Sequence, residues 1–129
     1  MITIDLASSE SLIDQIAGAV RTEIAAGRLA PGDELPTVRQ LAADLEVNFN
    51  TVARAYRALE ASGLVRSARG RGTRVAAAVE ANIKGARHGA RRSLSIALTD
   101  ARLAGLNRVQ IETVLGTEID LLWPKEEGT

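Results

Sequence analysis

Apolar residues recur every three or four positions along much of the chain, which is the spacing of amphipathic helices that bury one face. The first such segment predicts a helix over residues 11–26, with Leu12, Ile16 and Val20 among its apolar positions. Gly27 follows it where a left-handed C-terminal cap is favoured. Ahead of the helix, the alternation of residues 2–4 predicts a short edge strand.

The second predicted helix begins with the pattern of a capping box. The hydroxyl of Thr37 can accept the backbone N–H of Gln40, while the Gln40 side chain reaches back to the backbone of Thr37. The apolar stripe that follows comprises Val38, Leu41, Ala42 and Leu45. Glu46 and Val47 then leave room for only a tight turn before the next helix.

The third predicted helix has two distinct faces. Asn48 is a suitable N-cap, and the helix extends to about Ser62 before Gly63 ends it. The core face comprises Val52, Ala55, Tyr56 and Leu59. The opposite stripe comprises Asn50, Arg54, Arg57 and Ala61, with Thr51 beside its beginning. Amide, hydroxyl and guanidinium groups at the start of a helix hydrogen-bond base edges and phosphates, so this face predicts DNA binding.

A short basic hairpin is predicted after the third helix. Residues 64–67 and 73–75 have the residue types of strands, and the glycines between them permit a tight bend. Arg69 and Arg71 make this bend positively charged. Arg-Gly sequences also occur in disordered linkers, but the flanking strand residues favour a hairpin. Such a hairpin would be the wing of a winged helix-turn-helix.

Two more apolar stripes are predicted toward the C-terminus. Residues 76–89 are alanine-rich and weakly periodic, which leaves a helix and a mobile connector both open. The stripe after them comprises Leu94, Ala97, Leu98, Ala101 and Ala104. Beyond an N-cap at Asn107, the last comprises Ile111, Val114, Leu115, Ile119 and Leu122. The simplest use of two such helices is to pack against each other and against a second copy of the chain.

The charge distribution is more informative than the formal net charge, which is +0. A central basic band contains one acidic residue, Glu60, and comprises Arg54, Arg57, Arg66, Arg69, Arg71 and Arg74. A second basic run comprises Lys84, Arg87, Arg91 and Arg92. Because both ends of the chain are acidic, the whole-chain sum hides a positive region suited to nucleic acid. The alternative for each cluster is that its arginines only solvate helix faces.

Several function classes are disfavoured by the residues. The absence of cysteine removes disulfides and cysteine-based sites, and the N-terminus lacks the features of a signal peptide. No apolar run approaches the roughly 20 residues that span a bilayer, so we expect a cytoplasmic protein with no membrane association. His88, the only histidine, lies in a basic run, which favours contact with solvent or phosphate over a catalytic role. Gly70-x-Gly72 leads into a predicted strand and not a helix, so it lacks the context of a nucleotide-phosphate loop. We therefore expect neither an enzyme nor a cofactor or metal site.

In order and spacing, the central segments resemble the GntR family of bacterial transcription regulators, over about Leu12 to Val75. The segments that carry the resemblance are GRLAPGDELPT at 27–37, RQLA at 39–42, NTV at 50–52, Ala55-Tyr56, Leu59, GLV at 63–65 and GRGT at 70–73. The string NTVARAY at 50–56 and the short two-helix tail resemble the YtrA-like subfamily. The resemblance implies a homodimer that associates through its C-terminal helices, binds a palindromic operator and represses transcription.

The resemblance also implies which residues contact DNA. They are Thr37 and Arg39 in the second helix, Asn48, Asn50, Thr51 and Arg54 in the recognition helix, and Arg71 and Gly72 in the wing. One departure concerns Phe49, where subfamily members usually have proline. A phenylalanine exposed there could contact a thymine methyl group or pack on a neighbouring protein surface.

The predicted fold class is mainly α with a small β wing. An N-terminal winged helix-turn-helix is expected at 1–77, a short C-terminal helical dimerisation segment at 78–124, and a flexible tail at 125–129. The expected partners are double-stranded DNA and a second copy of the chain, and an unidentified small-molecule effector is a further candidate. The alternative function is a protein-interaction module that uses a winged-helix fold.

Overall fold

The computed structural model describes residues 2–77 and 83–125 of the 129-residue chain. The chain separates into two compact units, Met1–Val79 and Glu80–Thr129, which are called unit 1 and unit 2 below. Apart from Lys125, the tail predicted at 125–129 lies outside the described residues. The predicted division into three segments therefore stays a prediction.

Three helices make up most of unit 1. They are α1 (Leu12–Ala25), α2 (Val38–Leu45) and α3 (Phe49–Ala61). Each helix is preceded by an N-cap residue whose side chain accepts a backbone N–H of the first turn. These N-cap residues are Ser11, Thr37 and Asn48 respectively. These caps satisfy amide groups that have no partner within the helix. The predicted helix positions are confirmed to within one residue at each end.

The core of unit 1 is formed by the apolar faces of the helices and one end of each hairpin strand. Its largest fully buried side chains are Ile16, Val20, Val52, Leu59 and Val65. All four residues predicted for the core face of α3 are buried. Because burial of a large aliphatic side chain stabilises a fold by about 1.5–3 kcal/mol, this face fixes which side of α3 remains in solvent.

The turn between α2 and α3 is as tight as predicted, but its conformation was not foreseen. Glu46 has a φ of +56°, in the left-handed region. This conformation costs a non-glycine residue about 1–2 kcal/mol. It lets the N–H of Val47 donate to the carbonyl of Ala42 at 3.0 Å, so the chain reverses and α3 begins two residues later.

An antiparallel hairpin follows α3 and consists of β1 (Val65–Ala68) and β2 (Gly72–Val75). Val65 lies opposite Val75, and both side chains are buried. β1 is displaced by one residue from its predicted position, and β2 begins one residue earlier than predicted but ends at the predicted residue. The predicted hairpin is confirmed, and its bend carries exposed Arg69 and Arg71.

The edge strand predicted at residues 2–4 is wrong. These residues are in no strand, although Ile2 and Ile4 pack, half-buried, against the core. The second edge of β2 is instead joined by residues 33–35. The N–H of Leu35 donates to the carbonyl of Thr73, and the N–H of Val75 donates to the carbonyl of Asp33, both at 2.8 Å. The alternation of residues 2–4 reflects the packing of Ile2 and Ile4 against the core and not strand pairing.

Unit 2 consists of two helices, α4 (Ile83–Leu103) and α5 (Arg108–Leu122). A helix therefore occupies 83–89 of the segment for which helix and connector were both open, whereas 78–82 lie outside the described residues. Gly105 has a φ of +103° in the break between the helices. Asn107 caps α5 in a capping box with Gln110, which confirms the predicted cap.

Apolar side chains of unit 2 remain accessible. Among its described residues no side chain is buried. The large exposed apolar residues of α4 and α5 include Leu94, Ile96, Leu98, Val114 and Ile119. A helix pair with this much accessible apolar surface lacks a closed core of its own.

Candidate nucleic-acid interface

The start of α2 holds the first two predicted site residues. Thr37 is exposed, and its hydroxyl oxygen accepts the N–H of Gln40 at 3.0 Å. The Gln40 side-chain oxygen accepts the N–H of Thr37 at 3.2 Å, which completes the predicted capping box. Arg39 lies in the first turn with an exposed side chain. A capped helix terminus and a free guanidinium group can both bind a phosphate oxygen.

A buried tyrosine connects α3 to the start of α2. The hydroxyl of Tyr56 donates to the carbonyl of Pro36 at 2.7 Å, immediately before Thr37. Burial raises the pKa of Tyr56 to about 12, so the phenol keeps its proton at physiological pH. Sequence reasoning assigned Tyr56 only to the core and missed this positioning role. The available signal was that a buried tyrosine hydroxyl usually requires a partner.

The N-cap and the first two turns of α3 hold four of the predicted site residues. Asn50 and Arg54 are exposed, whereas Thr51 is half-buried. The side-chain oxygen of Asn48 accepts the N–H of Asn50 at 2.8 Å, so it is committed to the cap. The amide nitrogen of Asn48 remains as its donor toward a ligand. The prediction that Asn50 and Arg54 face solvent is confirmed.

The wing holds the remaining two predicted site residues. Arg71 is exposed in the bend, and its N–H donates to the carbonyl of Ala68 at 2.9 Å. Gly72 has a φ of +69°, and a Cβ built on it would lie 2.7 Å from Oε1 of Glu34. Gly72 therefore has a structural reason to be glycine, and its contact with DNA stays a prediction.

The hairpin is attached to both neighbouring segments of unit 1. The N–H of Ser67 donates to the side chain of Glu60 on α3 at 3.1 Å. On β2, Arg74 donates to the carbonyl of Gly32 at 3.0 Å and lies 3.6 Å from Glu34. Arg74, counted in the basic band, is thus held by the protein and is less available to a phosphate.

The other arginines of this surface are not neutralised in the same way. Among the described residues, the arginines that form ion pairs with a carboxylate side chain are Arg28, Arg74 and Arg108. The exposed arginines of α2, α3 and the hairpin without such a pair are Arg39, Arg54, Arg57, Arg66, Arg69 and Arg71. Uncompensated guanidinium groups produce a positive potential that attracts polyanions.

All eight predicted site residues lie in unit 1, on α2, α3 or the hairpin, or as the caps that precede these helices. Among them, Asn48 accepts two hydrogen bonds, from the N–H of Asn50 to its side-chain oxygen at 2.8 Å and from the N–H of Thr51 to its carbonyl at 3.0 Å. The others are brought together through the supporting contacts of Tyr56 and Glu60. This arrangement, two helices joined by a tight turn and followed by a hairpin, is the geometry of a winged helix-turn-helix.

Comparison with known proteins gives the same assignment. Residues 12–75 match the family described as bacterial regulatory proteins, gntR family. YtrA from Sulfolobus acidocaldarius, a GntR-family transcription factor, is 37% identical, with a TM-score of 0.61 over 76% of this chain and 97% of that one. The chain belongs to the GntR family. The predicted winged helix-turn-helix with C-terminal helices is thereby confirmed for this GntR-family protein.

Two further similarities concern repression and operator DNA. The HTH-type transcriptional repressor YtrA of Bacillus subtilis (strain 168) is 44% identical over 73 residues, 57% of this chain and 56% of that relative. The GntR-family chain thus spans little more than half of the curated relative. A crystal structure of AraR(DBD) in complex with operator ORX1 is 25% identical, with a TM-score of 0.53 over 59% of this chain and 95% of that one.

Other kinds of site are not supported. The family and these relatives are transcription regulators, which agrees with the prediction that the chain is not an enzyme. Within 2–77 and 83–125, no three His, Cys, Asp or Glu side chains are grouped as metal ligands. Over the same residues, no helix combines the length and apolar character needed to span a membrane.

Proposed function

We propose that this GntR-family chain binds DNA sequence-specifically and represses transcription as a homodimer on a palindromic operator. The observation that carries the proposal is the solvent-facing side of α3, where Asn50 and Arg54 are exposed opposite a fully buried apolar face. A helix with this distribution of side chains can enter a major groove while its other side stays attached to the core.

Each predicted site residue has a role that its local geometry supports. Asn50 and Thr51 would contact base edges, because recognition helices use their N-terminal residues in this way. Arg39 and Arg54 would anchor a phosphate or a guanine. At the starts of α2 and α3, Thr37 and the Asn48 amide would contact the DNA backbone. Arg71, with Gly72 allowing close approach, would enter the adjacent minor groove.

Dimerisation is supported by the accessible apolar surface of unit 2. Leu94 and Leu98 on α4 and Val114 and Ile119 on α5 are exposed large apolar side chains. A second copy would cover them with an equivalent surface, as two-fold dimers do. Two recognition helices related by two-fold symmetry would then read half-sites about one helical turn apart, or a multiple of that distance.

Repression is supported by the similarity to the Bacillus subtilis YtrA repressor, and operator binding by the similarity to AraR(DBD) in its operator complex. The chain would act in the cytoplasm, where it meets DNA, by occluding a promoter. A small-molecule effector stays a prediction with no assigned residues.

Gel shifts against genomic fragments, including the protein's own promoter, test the proposal. We expect at least one fragment to bind far more tightly than random duplex of the same length and salt concentration. Retention on heparin, followed by elution with duplex DNA, provides the control against a protein-interaction module. Equal affinity for every fragment and for random DNA would overturn sequence-specific binding.

A further inference from the structure

Phe49 is an apolar side chain outside the core at the start of the recognition helix. It is the single phenylalanine of the chain, it is the first residue of α3, and 51% of it is exposed. Among the described residues it belongs neither to the buried core nor to the half-buried residues packed against it. Tyr56, two turns further along the same side of α3, is buried. The fold therefore leaves the Phe49 ring available to a partner.

The neighbours of Phe49 limit what that partner can be. Asn48 and Asn50 flank it, and the cap bond between them fixes the backbone on both sides of the ring. Successive helical residues are rotated by about 100°, so Phe49 lies on the flank of α3, between its outward face and its core face, in the same turn as Asn50. An exposed side chain on this flank can reach a group next to the one that Asn50 contacts.

A phenyl ring has few favourable contacts on duplex DNA. It cannot neutralise a phosphate or donate a hydrogen bond to a base edge. The apolar group that the major groove presents is the C5-methyl of thymine, which protrudes from the base edge. Removal of the ring and the methyl from water stabilises their contact, because both surfaces are apolar.

We propose that Phe49 is a specificity-determining residue that contacts the C5-methyl of a thymine in each operator half-site, next to the base read by Asn50. This inference rests on the proposed function, since it requires α3 to lie in the major groove. On this proposal, part of the base preference comes from Phe49, whose backbone is held by the N-cap of α3, and not only from the hydrogen-bonding side chains of that helix.

The test replaces the methyl group and the ring separately. An operator is first selected with the wild-type protein from random duplexes, and each thymine is then replaced by deoxyuridine, which lacks the C5-methyl. We expect one thymine in each half-site at which this replacement weakens wild-type binding by about three- to fivefold, the effect of one buried methyl group. Phe49→Ala should bind the two duplexes equally.

Two controls exclude indirect effects. Leu6→Ala truncates another exposed apolar side chain of unit 1 and should keep the wild-type response to deoxyuridine. Circular dichroism and light scattering should show that Phe49→Ala keeps the fold and oligomeric state of the wild type. A change of oligomeric state would assign Phe49 to a protein contact and overturn the inference.

The outcomes separate this inference from the proposed function. If the wild-type protein selects no sequence over random DNA, the proposed function itself fails. If it selects an operator, but no deoxyuridine replacement weakens binding or Phe49→Ala loses the same factor, the proposed function stands and the role of Phe49 is overturned.

Discussion

Gly72 shows how a predicted contact residue can be required by the protein itself. Its φ is +69°, and the space where a Cβ would lie is occupied by the Glu34 carboxylate, 2.7 Å away. That carboxylate also pairs with Arg74 at 3.6 Å. Gly70 has a similar φ of +77° but open space around it. A comparison of substitutions at the two glycines therefore separates the effect of backbone conformation from the effect of the contact with Glu34.

We predict that Gly70→Ala and Gly72→Ala each lower the free energy of unfolding by about 1–2 kcal/mol, because alanine is strained in the left-handed region. Gly72→Ala should cost up to about 1 kcal/mol more, since it displaces Glu34 from an exposed ion pair. Urea unfolding measures both values. In a Glu34→Ala background the two variants should become equal; a difference that persists there would contradict the role given to Glu34.

The helices were the part of the fold that the sequence predicted best. Caps and periodicity are local, so Thr37, Asn48 and Asn107 could be assigned without knowing the tertiary structure, and so could the exposed side of α3. Features that depend on distant residues were missed. The hydrogen bond from Tyr56 to Pro36 spans twenty positions, and the pairing of residues 33–35 with β2 cannot be read from either segment alone.

Thr37 caps α2 and is also a predicted DNA contact, and one substitution can separate these two roles. We predict that Thr37→Asp keeps the free energy of unfolding within about 0.5 kcal/mol, because aspartate caps a helix at least as well as threonine and favours its positive end. The added negative charge should weaken binding to operator and random duplexes alike, since Thr37 is proposed to contact a phosphate. Thermal unfolding and gel shifts measure the two effects.

Asn107→Asp is the matched control for this prediction. It places the same charge at the other capping box, at the start of α5, where no DNA contact is predicted. We expect this variant to retain both stability and DNA affinity. Equal losses of affinity in the two variants would mean that net charge, and not the position of Thr37, is responsible.

For the whole molecule, the apolar surface of unit 2 should determine the oligomeric state. Leu98 lies on the apolar stripe of α4 and is 37% exposed, whereas Leu103 is 82% exposed and lies on another side of the helix. We predict that Leu98→Asp yields monomers at micromolar concentration, because it places a charge in the proposed dimer surface. Its affinity for the full operator should fall as the two half-sites are no longer bound together.

Sedimentation velocity measures this effect, with circular dichroism to show that helix content is retained. Leu103→Asp, which adds the same charge outside the stripe, should remain dimeric. A wild-type chain that is monomeric at these concentrations, or a Leu98→Asp variant with an unchanged dissociation constant, would place dimerisation elsewhere or exclude it.

The claim that the outward side of α3 reads bases is tested most directly by the ratio of affinities for the selected operator and random duplex, measured at one salt concentration. We predict that Asn50→Ala lowers this ratio by roughly 5- to 150-fold, the effect of one lost bidentate base contact of about 1–3 kcal/mol. Its affinity for random DNA should be unchanged, and Ala61→Ser, at the far end of the same face, should keep the ratio. An Asn50→Ala variant that discriminates operator from random DNA as well as the wild type would contradict the account.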